Sequence, residues 1–560
     1  MNPGTSAPLA ARALRRLDWA AAATAVLGLV WAASSGRVAF LPGQLGAYAL
    51  DGEAMLHAVP GGFVQYRMPL SGLLAALLLH WPTLPAVVAP AACAALALLT
   101  AALAARLEPA RAPLAGVAFV FVLLDWGGGY PETPLALMLL CVAALAARCA
   151  EERGLRPALL LASCLGATFL FRSSLALLPP LLAAAELADG PPAPRRERAV
   201  RALVLLFVPY LFLLPWIEFN WVLSNQFIPF EAGQASSNLV TGALGLIQTV
   251  EGDWSVLLRG EADPLRPSTV LEWCLREALS HPVRTLSAVV ERLWRFAVWN
   301  AAPAACAAAA AWLRRDSRAY RRALLIAVYF VAAHVLMSVE PRYFLPLRPL
   351  LAALALSVAA RLLVPGPRWE AGWVAVPTAA AAALLAGAVF AEVAVLRYAY
   401  VVRSGASRAA RLEAELTRRP GDVGLRIMRG LDRFAAGDCR GAPDDLKAAL
   451  DGRSFAHRRA WCLGRLGYES SLLDMEPGEV EPDARVELRL LQANLLLSRG
   501  ERTGEDVEAV VEAHVLEQLE ERQNCDDRTA PHLRLVQHQR GLQRLGVRER
   551  VQQLREVERA

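Results

Sequence analysis

A group of ionisable side chains lies in residues 40–74, between the first and the second long apolar run of the chain. Asp51, Glu53, His57 and Arg67 stand there among glycine, proline and aromatic residues. A connection between two membrane helices could be much shorter, and ionisable groups beside such helices are costly unless they pair or perform chemistry. The pattern predicts the first half of an active site at a membrane surface.

Composition indicates the kind of protein that positions these residues. The chain has 560 residues, of which 56% are apolar and 20% are charged, and about 20 consecutive apolar residues suffice for a helix to cross a bilayer. The sequence therefore predicts a mainly α-helical, polytopic membrane protein. Its nine cysteines are scattered without paired spacing, which argues against a disulfide framework or a zinc site.

Hydropathy predicts about eleven membrane spans. They cover residues 18–36, 84–106, 112–126, 132–150, 157–171, 173–188, 200–217, 292–313, 321–338, 343–363 and 372–396. The apolar segment 69–82 is shorter and ends in His-Trp-Pro, so we expect it to form a helix that lies along the membrane interface.

The arginines orient these spans. Their clusters fall on one side of the membrane when segment 69–82 does not cross, and the positive-inside rule makes that side the cytoplasm. The clusters lie at residues 12–16, 106–111, 148–156, 195–201, 314–322 and 361–368. Because the arginines follow the span ends rather than forming a stripe, they do not predict a nucleic-acid partner.

The extracytoplasmic face then receives the segments that carry polar chemistry. They are the first external loop 37–83, the turn 125–133, the corner at Arg172, the long loop 218–291, the corner 339–344 and the tail 397–560. The end of the long loop has apolar residues at helical spacing, which predicts amphipathic helices leading into the eighth span.

The tail 397–560 differs in composition from the first 396 residues. It is rich in Arg, Glu, Leu and Ala and is punctuated by Gly, Pro and Asp, a pattern that predicts helices at 405–418, 424–436, 441–450, 455–467, 483–499, 503–523 and 528–558. Their alternation is similar to the helix pairs of tetratricopeptide-like solenoids, without a consistent 34-residue period. We expect a helical domain that could bind a protein partner.

Together the external segments resemble the GT-C-type membrane glycosyltransferases, most closely the dolichyl-phosphate-mannose-protein mannosyltransferase and aminoarabinose transferase group. The resemblance covers residues 10–396. It is carried by Asp51 and Glu53 in ALDGEAML, Arg67 to Leu70, Glu132 in YPETPLALMLL, Arg172 in FLFRSSLALLP, the segment from PWIEFNW to SNLVTG that contains Asn238, and Glu340, Arg342 and Tyr343 in VEPRYFLP. Two motifs differ from the family pattern, since Asp-Gly-Glu replaces Asp-Glu and Met-Pro-Leu replaces Pro-Pro-Leu.

The resemblance implies transfer of a sugar from a polyprenyl-phosphate donor to a lipid, glycan or protein acceptor, in the bacterial inner membrane and on its extracytoplasmic face. One carboxylate would take the acceptor proton while cations neutralise the departing phosphate. Asp51 is the candidate base, with Glu53 beside it. Arginine offers paired donors to phosphate, and Arg67, Arg172 and Arg342 are the candidates in this chain.

The remaining candidates have supporting roles. Glu132 and Glu340 are candidate ligands of a metal ion or of the acceptor, since carboxylate oxygens suit Mg²⁺, Mn²⁺ or Ca²⁺. Glu132 and Glu53 could together hold such a cation, and a reaction without a metal stays open. His57, Tyr343 and Asn238 complete the predicted pocket. The apolar helix at 69–82 would hold the polyprenyl chain.

Structural interpretations stand beside these roles. Asp51 could cap a helix, Glu132 could complement a helix dipole, and Arg172 could extend from a helix end toward water. Glu340 and Arg342 could form an interfacial salt bridge. His57 could be a packing histidine.

Three other classes of protein also stay open. They are a lipid-linked glycan polymerase or ligase, a secondary transporter, and a non-catalytic scaffold that displays the tail. A transporter would carry internal repeats and charges within its spans, whereas the charges here lie at the span ends. A scaffold would tolerate Asp51→Ala and Arg342→Ala.

The predicted topology places residues 190 and 400 on opposite sides of the membrane. Reporter fusions after these two positions, one reporter active only in the cytoplasm and one only outside it, should therefore give opposite patterns. Identical patterns at the two positions would contradict the orientation derived from the arginines.

Overall fold

The structure is a computed structural model. It describes residues 40, 42–60, 67–81, 83–107, 128–231, 234–247, 258, 262, 267–363, 375–436, 441 and 445. Every regular element in these ranges is a helix, as the composition predicts. The chain divides into two compact units, Met1–Thr417 and Arg418–Ala560.

We number the α-helices in chain order. They are α1 Pro42–His57, α2 Pro69–His80, α3 Leu84–Leu107, α4 Glu132–Glu151, α5 Leu155–Phe169, α6 Leu178–Asp189, α7 Arg195–Leu211, α8 Leu214–Ser224, α9 Gln234–Ala243, α10 Pro267–Ser280, α11 Pro282–Trp299, α12 Ala301–Leu313, α13 Arg318–Val335, α14 Arg348–Leu363, α15 Ala375–Arg403, α16 Arg408–Arg418 and α17 Val423–Ala435. Short 3₁₀ turns at Ser173–Leu175 and Pro341–Leu347 form the Arg172 and Tyr343 corners.

Four helical segments are long and apolar enough to cross a membrane, or five if the bent pair α11 and α12 counts as one span. The four are Leu84–Ala104, Glu132–Glu151, Arg195–Ser224 and Pro377–Arg403. They coincide with four of the predicted spans and support a membrane protein. The predicted spans 18–36 and 112–126 lie outside the described residues, and the total of eleven stays a prediction.

The predicted span 292–313 is not straight, because its two helices meet at an angle of 97°. Pro303 has no N–H to donate to the Trp299 carbonyl four residues earlier, and its ring is incompatible with that helical turn. Arg348 instead donates to the Trp299 carbonyl at 3.4 Å and to Asn300 Oδ1 at 3.1 Å. The bend therefore has a sequence cause and a hydrogen-bonded partner.

The predicted first external loop 37–83 contains helix α1 over residues 42–57. The predicted helix at 69–82 is present as α2, whose 12 residues are mostly buried. The two helices cross at Gly52 and Gly72, where a Cβ added to Gly52 would overlap the Gly72 carbonyl. Glycines permit such close backbone approach, so the Gly between Asp51 and Glu53 has a packing function.

The predicted tail helices 405–418 and 424–436 correspond to α16 and α17. Helix α15 continues through the predicted domain boundary at residues 396 and 397, and the division 1–396 and 397–560 stays a prediction. The other predicted tail helices lie wholly or largely beyond the described part of the chain, so the solenoid interpretation also stays a prediction.

We predict that Gly52→Ala destabilises the fold by about 2 kcal/mol or more, since inserting a methyl group into packed backbone forces the helices apart. Gly387→Ala in α15 is the matched control. Its added Cβ would meet Leu70 Cδ1 at an ordinary 3.6 Å, and helix propensity favours alanine by up to about 1 kcal/mol. Thermal unfolding in detergent measures both. Equal midpoints for the two variants would contradict the close helix crossing.

Candidate functional site

Asp51 is the tenth residue of helix α1, so it cannot cap that helix. The Arg67 guanidinium lies 3.7 Å from Asp51 Oδ2 and stacks over the Tyr48 ring with 4.3 Å to the ring centroid. The Asp51 Oδ2 atom is buried and has no hydrogen-bond partner among the described residues. Among the described residues, Asp51 Oδ2 is therefore stabilised by the positive charge of Arg67 rather than by a hydrogen bond.

The environment of Asp51 raises the pKa of its carboxyl group. Burial raises the Asp51 pKa to about 7, and the positive charge of Arg67 opposes part of that increase. A carboxyl group with this pKa is partly ionised at neutral pH and can exchange protons with a bound molecule. The sequence motif alone does not reveal this shift, because it depends on how α1 packs.

Arg67 and Arg172, which are far apart in the sequence, both act electrostatically on the carboxyl group of Glu231. Ser173 Oγ donates to Glu231 Oε1 at 3.0 Å, and both arginines lower the Glu231 pKa through their charge. Burial is the larger influence, and the Glu231 pKa is raised. Sequence analysis missed Glu231. The available signal was a single carboxylate within the aromatic stretch FIPFEAG.

Tyr130 packs these segments together. Its ring makes edge contacts with Phe40, Tyr48 and Phe171, with centroid separations of 5.9, 5.2 and 6.2 Å. Its hydroxyl donates to the Ser71 carbonyl of α2. The turn before α4 therefore contacts α1, α2 and the Arg172 corner at once, and Tyr130 was also missed from the sequence.

The second predicted corner forms its own ion pair. Arg342 Nε lies 2.5 Å from Glu340 Oε2, and the Tyr343 hydroxyl donates to Glu340 Oε1 at 3.4 Å. Glu132, at the start of α4, lies within electrostatic reach of Arg342. Arg342 is already paired here, as the salt-bridge interpretation expects.

His334 lies between the two arginine groups. Arg172 is close enough to influence His334 electrostatically, and the His334 ring centroid is 6.4 Å from that of Tyr343. Electrostatic interactions and ring contacts therefore relate Arg67, Glu231 and Arg172 to His334 and Tyr343. Glu231 and His334 were not predicted from the sequence.

Glu53 and His57 form a separate buried pair one helical turn apart, with His57 Nε2 3.1 Å from Glu53 Oε2. Glu132 instead faces the charge of Arg342. No contact between described residues joins Glu53 to Glu132, the two carboxylates expected to share a metal ion. Both remain candidate ligands of a divalent cation.

Asn238 is buried in α9, a helix of the long external loop. Thr241 Oγ1 lies 2.7 Å from Ser338 Oγ, and the Val339 amide donates to the Ile247 carbonyl at 2.9 Å. These bonds hold α9 against the residues that precede Glu340. The long loop therefore contacts the second corner, as its predicted position on the same face requires.

Comparison with protein-family models, with curated proteins and with solved structures finds no match for the chain. The family to which the motifs are similar therefore stays a prediction. The site consists of the Asp51 carboxyl group, whose pKa is about 7, and of Arg67 and Arg172, which both act on Glu231. The aromatic ring of Tyr130 packs beside them.

We predict that Asp51 titrates with a midpoint near pH 7, as burial raises its pKa to about 7. Arg67→Gln should move the midpoint upward, because the charge of Arg67 favours the ionised carboxylate. Infrared spectra of the carboxylic acid band, assigned by its loss in Asp51→Asn, measure the midpoint. Arg321→Gln, which breaks the Arg321–Asp189 pair of 2.7 Å, is the control and should leave it unchanged. A midpoint near pH 4 would contradict the buried environment.

Proposed function

We propose that the protein transfers a sugar from a polyprenyl-phosphate donor to an acceptor on the extracytoplasmic face of a membrane. The observation that best supports this proposal is the buried carboxyl of Asp51, with a pKa of about 7, 3.7 Å from the Arg67 guanidinium. This combination suits a reaction that removes a proton and releases an anion at neighbouring positions.

Asp51 serves as the general base. The acceptor oxygen or nitrogen forms a bond to the anomeric carbon while its proton moves to the Asp51 carboxylate. The bond between that carbon and the phosphate oxygen breaks, and its electron pair leaves with the lipid phosphate. A base is most effective when its pKa lies near the working pH, which the burial of Asp51 provides.

Arg67 and Arg172 receive the phosphate. Both act on Glu231, so their positive charges converge on one position beside the base. The raised pKa of Glu231 increases its protonated fraction, and protonation leaves more of the arginine charge available to an incoming anion. Guanidinium groups stay charged and bind phosphate through paired donors. Arg342 has a smaller part, because Glu340 already pairs with it.

The neighbourhood of the site suits a lipid-linked substrate. Helix α2 is apolar along its length and is bound to the site through the Tyr130 hydroxyl at Ser71. Leu73 and Leu78 are buried against the surrounding helices, whereas Leu74 and Leu77 are partly exposed and could contact a polyprenyl chain. A divalent cation would be held by carboxylates such as Glu132 and Glu340, where it would add positive charge near the phosphate, and the proton transfer to Asp51 does not depend on it.

We predict that Asp51→Asn reduces sugar transfer by at least about a hundredfold, since general base catalysis contributes about 10²–10⁴-fold. Membranes are incubated with a panel of labelled polyprenyl-phosphate sugars, and transfer to endogenous acceptors is measured from pH 5 to pH 9. Wild-type transfer should rise through about pH 7 as the Asp51 carboxyl ionises.

Asp316→Asn is the matched control for this assay, because Asp316 is exposed in the turn between α12 and α13. It should transfer at the wild-type rate with the same pH profile. Full transfer by Asp51→Asn would remove the proposed base, and no transfer from any donor by the wild type would reject the proposed reaction class.

A further inference from the structure

Helix α11 exposes apolar side chains and buries an arginine, the opposite of an amphipathic helix on the surface of a soluble protein. Its exposed face is apolar, with Val283 81% exposed and Trp294 64% exposed, whereas Arg292 on the opposite face is 1% exposed. The exposed stripe consists of Val283, Leu286, Val290, Leu293, Trp294 and Val298. In water such a helix would bury its apolar side and expose its arginine.

Arg292 fixes the rotation of α11 about its axis. Its guanidinium donates to the carbonyls of Val335 at 3.2 Å, Gly242 at 3.0 Å and Leu246 at 2.7 Å. Ala288 and Phe296 are buried on the same side. The arginine thus secures one face to the protein through three backbone acceptors, and the apolar stripe must point away from it.

Helix α10, which precedes α11 in the chain, also exposes apolar residues, and the charged residues beside the α11 stripe are paired. Leu271, Leu275 and Leu279 are exposed at four-residue spacing along α10. Beside the stripe, Arg284 pairs with Glu277 at 2.7 Å and Arg295 with Glu291 at 3.0 Å. Because these arginines already have carboxylate partners, apolar contact rather than attraction to anionic groups would hold this surface.

The bend between α11 and α12 limits how the two helices can lie in a membrane. Only together are they long and apolar enough to cross one, and they meet at an angle of 97°. Helix α12 has 13 residues that are almost all alanine or other apolar types. If α12 runs along the membrane normal, α11 runs along the membrane plane, and its stripe can face the lipid over its whole length.

We propose that α11 is an interfacial helix whose apolar stripe inserts into the boundary between the headgroups and acyl chains of the bilayer. An amphipathic helix in this position places Trp, Leu and Val in the lipid and keeps its polar face above it. The occupant of the stripe is therefore lipid rather than a second copy of the chain. The inference does not depend on the transferase reaction.

The test uses the full-length protein in phosphatidylcholine vesicles. A small fluorescent amino acid is incorporated by stop-codon suppression at Val283, at Val298 or, as the aqueous control, at Glu272, whose side chain is 76% exposed. Quenching by lipids brominated at different acyl carbons measures depth, and quenching by iodide measures exposure to water. Wild-type melting behaviour in each variant is required.

We expect probes at Val283 and Val298 to show the same shallow depth and about a twofold greater loss of fluorescence in brominated lipid than the Glu272 probe, since interfacial helices lie about 5–10 Å into the boundary. Both should be protected from iodide. Adding anionic phosphatidylglycerol should not change the quenching, because the flanking arginines are paired.

Three results would overturn the proposal. Depths that differ by roughly 20 Å between the two probes would show that α11 crosses the bilayer, because 15 residues of helix span about 22 Å. Protection from both iodide and brominated lipid would show that protein covers the stripe, and loss of that protection on dilution in lipid would identify a second copy. Free access of iodide to both positions would show a surface in water.

Discussion

The site depends on one arginine that serves two carboxyl groups in a buried setting. Arg67 lies 3.7 Å from Asp51 and acts electrostatically on Glu231, while burial raises the pKa of both carboxyl groups. Desolvation disfavours each negative charge, and the guanidinium recovers part of that cost. The balance leaves Asp51 near its midpoint at neutral pH, so a modest change in local charge can change its protonation state.

The helix crossing at Gly52 and Gly72 places Asp51 in this environment. Because the two backbones touch, α1 carries Asp51 toward Arg67, two residues before α2 begins, and the Ser71 carbonyl of α2 accepts from the Tyr130 hydroxyl. The glycine that interrupts the expected Asp-Glu pair thus permits the contact on which the site depends. Glu53, on the other side of that glycine, pairs with His57 and has no described contact with Asp51.

The sequence was informative where periodicity or a motif determines structure locally. It predicted the helical class, the α2 helix and the amphipathic helices α10 and α11, and it singled out Asp51 and Arg67, which lie 3.7 Å apart. It did not predict Glu231 or Tyr130, whose roles arise from contacts across more than 50 residues. It also predicted residues 292–313 as one span, because hydropathy does not detect the bend between α11 and α12. That bend depends on the missing N–H of Pro303 and on the hydrogen bond from Arg348 to the Trp299 carbonyl.

The proposed function requires that a phosphate binds between Arg67 and Arg172, beside Asp51. The most direct measurement adds polyprenyl phosphate without a sugar to the purified protein and follows the infrared titration of Asp51. A bound anion should disfavour the carboxylate and move its midpoint above pH 7, and Arg172→Gln should abolish the shift while Arg321→Gln preserves it. An unchanged midpoint at saturating polyprenyl phosphate would contradict the claim.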